Sequence, residues 1–506
     1  MVKEKEKDQK EKDNKLFVGV VWNCATEIKI LLTALLFLSS LVIILQFLPS
    51  RFSLSSSDLQ LCLSKLSSST STSTSEVPQV SVLSSSSSPL IQKDQIIQQG
   101  IIKRAFNSYG SAAYSFIQMG SYRGGLNTFA IIGLASKPLI VYGKPSYQCQ
   151  WISDDDRNNN NNITTFGSKI LPDWGYGRVY TVVVINCTFP IPVGINGSGG
   201  RLILHASDGG SGDTDVVVST EKIEALVEAP GSLNASVFSS PPVYDYFYCG
   251  SPLYGDLSPQ RVREWIAYHV KLFGEKSHFV IYDAGGIHSG VLEVLKPWIE
   301  KGYVTLQDVR EQERFDGYYH NQFLVVNDCL HRYRFMAKWM FFFDVDEYIY
   351  VQPESTIQSI VNEYSGYTQF TIEQMPMSNK LCLASDAGNT EREWGFEKLV
   401  YRNVQRGIRR DRKYAIQPRN TFATGVHMSQ NVAGRTLHRI DGRIKYFHYH
   451  GTISERHELC RQLVNESQIY IEKKPYILDT TLRDAAAAVK SFEIKSIGSQ
   501  LQRTRQ

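Results

Sequence analysis

The feature that most constrains the fold is an alternation of predicted strands and helices between residues 244 and 343. Strands are predicted at residues 244–249, 278–282, 303–308 and 339–343. Helices are predicted between them, and Ser258-Pro259 and Gly274 mark the two ends of the first. This alternation is typical of an α/β fold with a mostly parallel, doubly wound sheet, because helical crossovers join parallel strands. Ligands of such sheets bind beyond the carboxyl ends of the strands.

Acidic residues stand at those strand ends. Asp283 ends the second strand, Asp308 ends the third, and Asp344 and Asp346 follow the fourth. Side chains two residues apart in extended backbone point the same way, so Asp344 and Asp346 can face one ligand. Two adjacent carboxylates favour a divalent cation such as Mg²⁺ or Mn²⁺, which keeps open positions for phosphate oxygens. The alternative is a solvated acidic turn, since Asp-x-Asp alone is a weak signal.

Further residues complete the predicted site. Asp283 is placed to bind the base or ribose of a nucleotide, or else it caps the next helix. His448 and His450 share one face of an extended segment, from which an imidazole can complete the shell of Mn²⁺. A basic run around Arg410 and Lys413 is either a solvated face or a phosphate site.

Composition excludes several classes of function. A net charge of +4 over 506 residues gives no basis for a nucleic-acid partner. Neither GxxxxGK[ST] nor GxGxxG is present, so P-loop enzymes and dinucleotide dehydrogenases are not supported.

Glycosylation sequons begin at Asn162, Asn186, Asn196, Asn234 and Asn465, and they indicate lumenal exposure. In such a compartment cysteines can pair, and Cys149 with Cys187 is the expected pair because both lie in one β-rich region.

The segments before the α/β region have distinct compositions. Residues 1–27 are predicted to be a cytosolic tail, 28–48 a transmembrane anchor and 49–103 a Ser/Thr-rich stalk. The alternative for 28–48 is a helix buried in a soluble core. Residues 104–236 contain short β-rich runs and are predicted to form a small all-β sandwich. Its Trp151, Trp174 and Tyr176 are either carbohydrate-binding or core side chains.

Four segments in order carry a family resemblance. They are Phe343-Asp-Val-Asp-Glu-Tyr348, Trp394-Gly-Phe-Glu-Lys-Leu399, Arg406-Gly-Ile-Arg-Arg-Asp-Arg-Lys413 and Tyr446-Phe-His-Tyr-His-Gly-Thr452. In these segments the chain resembles plant members of glycosyltransferase family 92, the galactan β-1,4-galactosyltransferases. The resemblance implies a GT-A fold, Rossmann-like with a mostly parallel sheet, over residues 237–480, followed by a C-terminal tail at 481–506.

The resemblance also implies an activity and a location. The donor would be UDP-galactose, the cofactor Mn²⁺, and the acceptor the β-1,4-galactan side chains of pectic rhamnogalacturonan I, with inversion at the transferred sugar. The chain would be a single-pass type II protein of the Golgi membrane with its catalytic domain in the lumen. An anchor and stalk permit a homodimer without requiring one.

The resemblance and the residue patterns together give a set of candidate site residues. The metal ligands are Asp344, Asp346, His448 and His450. The nucleotide-binding residues are Asp283, Asp344, Lys398, Arg410 and Lys413. The candidates for the catalytic base are Glu397 and Asp386, with Glu373 and Glu393 behind them. Two other functions are open: a lectin-like membrane protein with an inactive α/β domain, and a Ca²⁺-stabilised adhesion protein.

Overall fold

A computed structural model of the chain describes residues 91–110, 114–154, 162–209, 217–388, 393–406, 411–438, 442–465 and 469–503. The predicted tail at 1–27, the predicted span at 28–48 and most of the predicted stalk lie outside the described residues. No helix within the described ranges has the length and apolar character that a membrane span requires. The expectation of a single-pass type II anchor in a Golgi membrane finds no support in this part of the chain and is not carried forward.

The described residues fold into strands, six α-helices and short helical turns. The strands are β1 (Gln95–Ile96), β2 (Ile102–Lys103), β3 (Asn107–Tyr109), β4 (Phe116–Arg123), β5 (Thr128–Ser136), β6 (Ser146–Ser153), β7 (Asn162–Ile170), β8 (Tyr180–Thr188), β9 (Gly200–Gly209), β10 (Val217–Glu228), β11 (Tyr244–Leu253), β12 (Ser277–Asp283), β13 (Val304–Asp308), β14 (Ala337–Phe342), β15 (Glu347–Val351), β16 (Gln369–Pro376), β17 (Leu381–Leu383), β18 (Tyr401–Asn403), β19 (Arg412–Ile416), β20 (Thr421–Ala423), β21 (Asn431–Val432), β22 (Thr436–Leu437), β23 (Ile444–His448), β24 (Gln462–Val464), β25 (Ile469–Ile471) and β26 (Lys474–Leu478). The α-helices are α1 (Pro259–Phe273), α2 (Ser289–Glu300), α3 (Gln322–Tyr333), α4 (Ile357–Glu363), α5 (Gly395–Lys398) and α6 (Thr481–Ile497).

The larger sheet joins two kinds of strand pairing. Its central strands, in the order β2, β13, β12, β11 and β14, are parallel to one another. Helices α1, α2 and α3 supply the crossovers, and α1 begins and ends where the sequence predicts, with Ser258 accepting from the Arg261 N–H and Gly274 closing it at φ 76°. The register sets Asp283 beside Asp308 at the carboxyl ends of their strands.

Beyond β14 the same sheet changes character. Strand β19 pairs antiparallel with both β14 and β16, and β15 pairs antiparallel with β23. These antiparallel partners are far apart in the sequence, and β16 also pairs parallel with β22 and β23. Over all the sheets, antiparallel pairings outnumber parallel ones in the described residues, and the fold is largely β. The predicted fold class, a Rossmann-like GT-A domain with a mostly parallel sheet, is therefore wrong for the described chain as a whole, although β11, β12, β13 and β14 are parallel strands with helical crossovers.

The β-rich region before residue 236 is one curled sheet. Its eight strands follow the order β10, β9, β6, β7, β8, β5, β4, β3, and every pairing is antiparallel. The sheet nearly closes on itself, because the Gln118 side chain of β4 donates to the Ala225 carbonyl of β10 over 2.7 Å. The predicted sandwich of two sheets is therefore wrong. Trp151 is buried inside the curl, whereas Trp174 and Tyr176 are exposed.

The curled sheet and the larger sheet share a core around α3. Apolar residues of β4, β5 and β8 pack in one cluster with those of α3, β11, β12 and β14. Within this contact Arg104 forms a two-point ion pair with Asp328 of α3, with N–O distances of 2.5 and 2.8 Å, and both side chains are fully buried. Tyr122 of β4 adds a hydrogen bond to Asp328. Helix α3 therefore joins the two sheets.

Three disulfides tie the described chain. The predicted bond between Cys149 and Cys187 is confirmed and links β6 to β8. Cys249 of β11 is bonded to Cys329 of α3, across 80 residues of sequence. The third bond joins Cys382 of β17 to Cys460. The paired cysteines agree with an oxidising compartment.

The Cys249–Cys329 bond is expected to stabilise the fold strongly. Its loop of 80 residues is long, so the double variant Cys249→Ala/Cys329→Ala should lose about 4 kcal/mol of unfolding free energy. Urea denaturation of the native chain and the variant measures the loss. Alanine is the replacement because both sulfurs lie in an apolar core. Equal denaturation midpoints would contradict the expectation.

Candidate metal and nucleotide site

The site is built on the turn between β14 and β15. The apolar strand β14 ends at Phe342, and β15 begins at Glu347. Two reciprocal hydrogen bonds close the turn: the Glu347 N–H donates to the Asp344 carbonyl over 3.1 Å, and the Asp344 N–H donates to the Glu347 carboxylate over 2.7 Å. The turn thus directs its acidic side chains beyond the end of the buried strand.

Asp344 is held by donors from three other elements. Its carboxylate lies 2.6 Å from the buried Lys413 amine, 3.0 Å from the Gln322 amide and within hydrogen-bond distance of the Ser251 hydroxyl. Burial alone would raise the pKa of Asp344, but the Lys413 charge and these hydrogen bonds outweigh it and lower that pKa to about 2. Asp344 is therefore an anion at neutral pH.

Glu347 is the buried member of the group. Its carboxylate lies 3.5 Å from the Lys413 amine and is almost wholly covered. Burial raises the pKa of Glu347 to about 7, since the Lys413 charge is shared with Asp344, whose own negative charge pushes the pKa up. Two carboxylates and one ammonium group thus form the floor of the site.

Asp346 meets the histidine pair. One ligand atom from each of Asp346, His448 and His450 lies within 4.8 Å of the others. The pairing of β15 with β23 places His448 opposite Glu347, which explains how a segment a hundred residues later reaches the turn. The Gly451 N–H donates to the second Asp346 oxygen over 2.9 Å. The three side chains converge on one point.

The donor set fits a transition metal. One carboxylate oxygen and two imidazole nitrogens suit Mn²⁺, and they suit Fe²⁺ or Zn²⁺ as well. Asp346 and His448 are only partly buried and His450 is exposed, so further positions are open to a substrate. The Gln374 amide lies 2.5 Å from His448 Nδ1 and orients that ring. These residues can hold a cation beside the turn.

The predicted site residues lie in three places: at the turn between β14 and β15, at the end of β12, and beside α6. Asp344, Asp346, Lys413, His448 and His450 come together at the turn, but the donors around Asp344 and the ring pair around Asp346 are separate sets. Asp344 as a metal ligand stays a prediction. Arg410 lies outside the described residues.

Asp283 stands at the end of β12, as predicted. One of its oxygens accepts the N–H groups of Gly285 and Ile287 over 2.8 and 3.1 Å, as in the alternative of a capping role. Its other oxygen lies 3.8 Å from the Arg310 guanidinium, which also pairs with Asp308. Its role in nucleotide binding stays a prediction.

The predicted bases lie among basic side chains of α6. Glu397 is buried, caps its own helix through the Trp394 N–H and lies 2.7 Å from the Lys490 amine. Asp386 pairs with Arg483 over 2.7 Å. The amine of the predicted nucleotide ligand Lys398 lies 2.7 Å from the Glu458 carboxylate. These contacts describe a structural ion-pair network, and the base assignment stays a prediction.

Sequence reasoning missed several residues of the site. Ser251, Gln322 and Gln374 contact the predicted residues from three different elements. Single polar residues of this kind have no periodicity or spacing that marks them. Glu347 belongs to the acidic segment, but its burial does not follow from the sequence.

Comparison with known proteins covers the whole chain. Residues 244–504 match the model of glycosyltransferase family 92. The chain is 57% identical over 508 residues to galactan β-1,4-galactosyltransferase GALS3 of Arabidopsis thaliana, covering 99% of both chains. It is 55% identical to GALS2 of the same plant over 99% of this chain and 100% of that protein, and 51% identical to GALS1 over 79% of each. The matched segment contains the turn and the histidine pair.

Proposed function

The chain belongs to glycosyltransferase family 92, and from this premise we propose that it is a galactan β-1,4-galactosyltransferase acting on pectic side chains. The observation that carries the proposal is identity of 57% and 55%, over essentially the full length, to two proteins named for that activity. The convergence of Asp346, His448 and His450 inside the family segment supports it further.

We propose UDP-galactose as the donor and Mn²⁺ as the cofactor. Asp346, His448 and His450 would hold the cation, which when bound supplies positive charge for the diphosphate of the leaving nucleotide. The Gly451 N–H keeps the Asp346 carboxylate oriented. Lys413 keeps Asp344 ionised and fixed beside this position. The residues of the turn are thus organised before the donor binds, which is the arrangement that electrostatic stabilisation requires.

Transfer with inversion also requires a carboxylate to accept the proton of the attacking hydroxyl group. The transition state at the anomeric carbon would resemble an oxocarbenium ion, as in glycoside hydrolysis. Glu397 or Asp386 could serve only after leaving the ion pairs with Lys490 and Arg483. A variant at either position that keeps full transfer would remove it from the list of bases.

One assay tests the proposed function. The purified chain is incubated with Mn²⁺, one UDP-sugar at a time and a labelled galactan oligosaccharide, and the products are analysed by mass spectrometry and NMR. We expect hexose additions only with UDP-galactose, and a new β-1,4 linkage in each product. Oligosaccharide binding without any transfer, for every donor, would overturn the proposal in favour of the lectin-like function.

Removal of the cation is expected to stop transfer. Treatment with EDTA followed by desalting should lower the rate at least about 100-fold, because the diphosphate charge is then unbalanced. Added Mn²⁺ should restore the rate. Ca²⁺ serves as the control ion: if Ca²⁺ alone raised the melting temperature, while UDP added nothing and Mn²⁺ restored no transfer, the acids would be structural.

A further inference from the structure

Six aromatic side chains form a row that runs from the turn between β14 and β15 to the curled sheet. We call it the aromatic strip, and it consists of Tyr254, His320, Tyr319, Tyr318, Tyr176 and Trp174. Five of these side chains are exposed, and Tyr318 is half-buried. Exposed aromatic groups in such a row are unusual, because large apolar surface is normally covered.

Ring contacts connect the neighbouring members of the strip, except for His320 and Tyr319, which are joined by the backbone. Tyr254 stacks on His320 with ring centroids 3.9 Å apart, and Tyr319 immediately precedes His320 in the chain. Tyr319 contacts Tyr318 over 5.9 Å, and Tyr318 contacts Tyr176 over 5.8 Å. The ring centroids of Tyr176 and Trp174 lie 6.1 Å apart. The rings come from three separate loops, so no single stretch of sequence shows the row.

The first end of the strip lies beside the turn. Burial raises the pKa of Tyr254, and the charges of Asp344 and Asp346 raise it further. The pKa of Tyr319 is raised in the same way by burial and by Asp344. Hydrogen bonds of neighbouring residues place these rings independently, because Ser251, three residues before Tyr254, and Gln322, two residues after His320, both donate to the Asp344 carboxylate. This end of the strip is therefore next to the turn.

The second end opens into a pocket between the end of β7, with the loop that follows it, and the hairpin of β20 and β21. The pocket has a volume of about 300 Å³, and Trp174 forms one wall. Polar side chains of Lys169, Thr424, Gln430 and Asn431 line it together with apolar ones. A mixed lining of this kind suits a sugar unit, which presents hydroxyl groups on its rim and C–H groups on one face.

The backbone holds three rings of the strip in a rare conformation. Trp174, Tyr319 and His320 have φ values of 54°, 55° and 52°. Left-handed backbone is uncommon for bulky residues, and it concentrates at functional sites where the surrounding structure enforces it. The buried Asp173 enforces it beside Trp174, since its carboxylate accepts from the Thr181 hydroxyl over 2.6 Å and from the Val182 N–H over 3.0 Å.

We propose that the aromatic strip binds the acceptor, an unbranched chain of β-1,4-linked galactose units, with its growing end at the turn and the following units stacked toward Trp174. This inference rests on the proposed function. A β-galactose unit has one apolar face that packs on an aromatic ring, and successive units repeat that face at regular intervals. Tyrosine and tryptophan also offer polar groups to the hydroxyls. The curled sheet thus contributes to substrate binding through the loop between β7 and β8.

The test varies the length of the acceptor. Initial rates are measured for the disaccharide through the octasaccharide with the full chain, Trp174→Ala and Tyr176→Ala. We expect the acceptor KM for long chains to rise about fivefold to tenfold in each variant. The disaccharide KM, the kcat and the donor KM should stay unchanged, because a short acceptor occupies only the end of the strip at the turn. Phe166→Ala, which removes an exposed ring from β7 of the same sheet, is the matched control.

Two further measurements make the outcomes distinct. Trp174→Phe keeps a ring and should recover most of the long-chain affinity, which a variant that merely unfolds would not show. Calorimetric binding of the octasaccharide without donor should weaken in parallel with the KM. If Trp174→Ala and Tyr176→Ala gave the same KM as Phe166→Ala at every acceptor length, the proposed role of the strip in acceptor binding would be overturned. A change of oligomeric state with an unaltered KM would overturn it too, and would show that the strip contacts another protein chain. Absence of any transfer by the native chain would overturn the proposed function instead.

Discussion

Replacing Asp346 with alanine is expected to lower galactose transfer at least about 100-fold, since even residues that only support a metal ligand reduce affinity 10- to 100-fold when changed. Asp346 contributes the carboxylate of the three-residue ligand set, while His448 and His450 remain in the variant. The fold should survive, because the side chain is on a turn and partly exposed. Isotope-labelled UDP-galactose measures transfer, and Mn²⁺ titration by calorimetry measures the loss of the ion.

A second variant separates charge from geometry at the same position. Asp346→Asn keeps one oxygen and the hydrogen bond from the Gly451 N–H, so its transfer should fall between those of the native chain and the alanine variant. Glu300→Ala removes an exposed carboxylate at the end of α2 and serves as the control. Full transfer by Asp346→Ala, or unchanged Mn²⁺ affinity in either variant, would remove Asp346 from the metal site.

Loss of the buried charge on Asp328 is expected to cost about 3–5 kcal/mol of unfolding free energy. The variant Asp328→Asn keeps the size of the side chain but removes the two-point carboxylate partner of the Arg104 guanidinium from a fully buried contact. Arg104 then keeps only the more exposed Asp94 carboxylate, 3.1 Å from its Nε, and a buried charge that has lost its main partner is the source of this penalty. Urea denaturation at neutral pH measures the difference from the native chain.

The effect of Asp328 should depend on pH with a definite sign. Burial would raise its pKa, but the Arg104 charge and hydrogen bond, together with Arg332 and Tyr122, outweigh it and lower that pKa. A lowered carboxyl pKa contributes stability that is present above the ordinary value of about 4 and is lost as the pH falls through the folded value. The native chain should therefore approach the variant in stability only in strong acid.

The control for this prediction is an exposed ion pair. Asp245 and Lys276 lie 4.0 Å apart, with most of the lysine side chain in solvent, and Asp245→Asn should change stability by less than about 1 kcal/mol. Equal losses in Asp328→Asn and Asp245→Asn would contradict the strong role given to the buried pair. A loss in Asp328→Asn that grew in acid would contradict the sign of the pKa shift.

Local signals in the sequence predicted individual elements well. Ser258, Pro259 and Gly274 set the ends of α1, because capping and helix termination depend on a few adjacent residues. Within the predicted β-rich region the β-branched residues 182–185 lie in a strand, and the predicted bond between Cys149 and Cys187 is present. Leu139–Gly143 of the same region instead forms a single helical turn after Pro138.

Pairing between elements could not be predicted in the same way. Strand direction beyond β14 depends on the connections available to short strands, and the closing of the curled sheet depends on a contact between Gln118 and Ala225. Neither property has a periodic signal. For the same reason the sequence does not show that the predicted base Glu397 pairs with Lys490, which lies 93 residues away in the chain.

The sequence by itself determined which residues could do the chemistry: carboxylates after an apolar strand, a histidine pair and a lysine within a basic run. Only the tertiary structure decided which partner each of these residues has, with Asp344 bound to Lys413 and Asp346 close to the two histidines. The tertiary structure also brings the rings of the aromatic strip together from three loops. The physical reason is the separation of the interacting residues in the sequence. Local conformation depends on near neighbours, whereas ion pairs, strand registers and ring contacts depend on distant residues that the fold brings together.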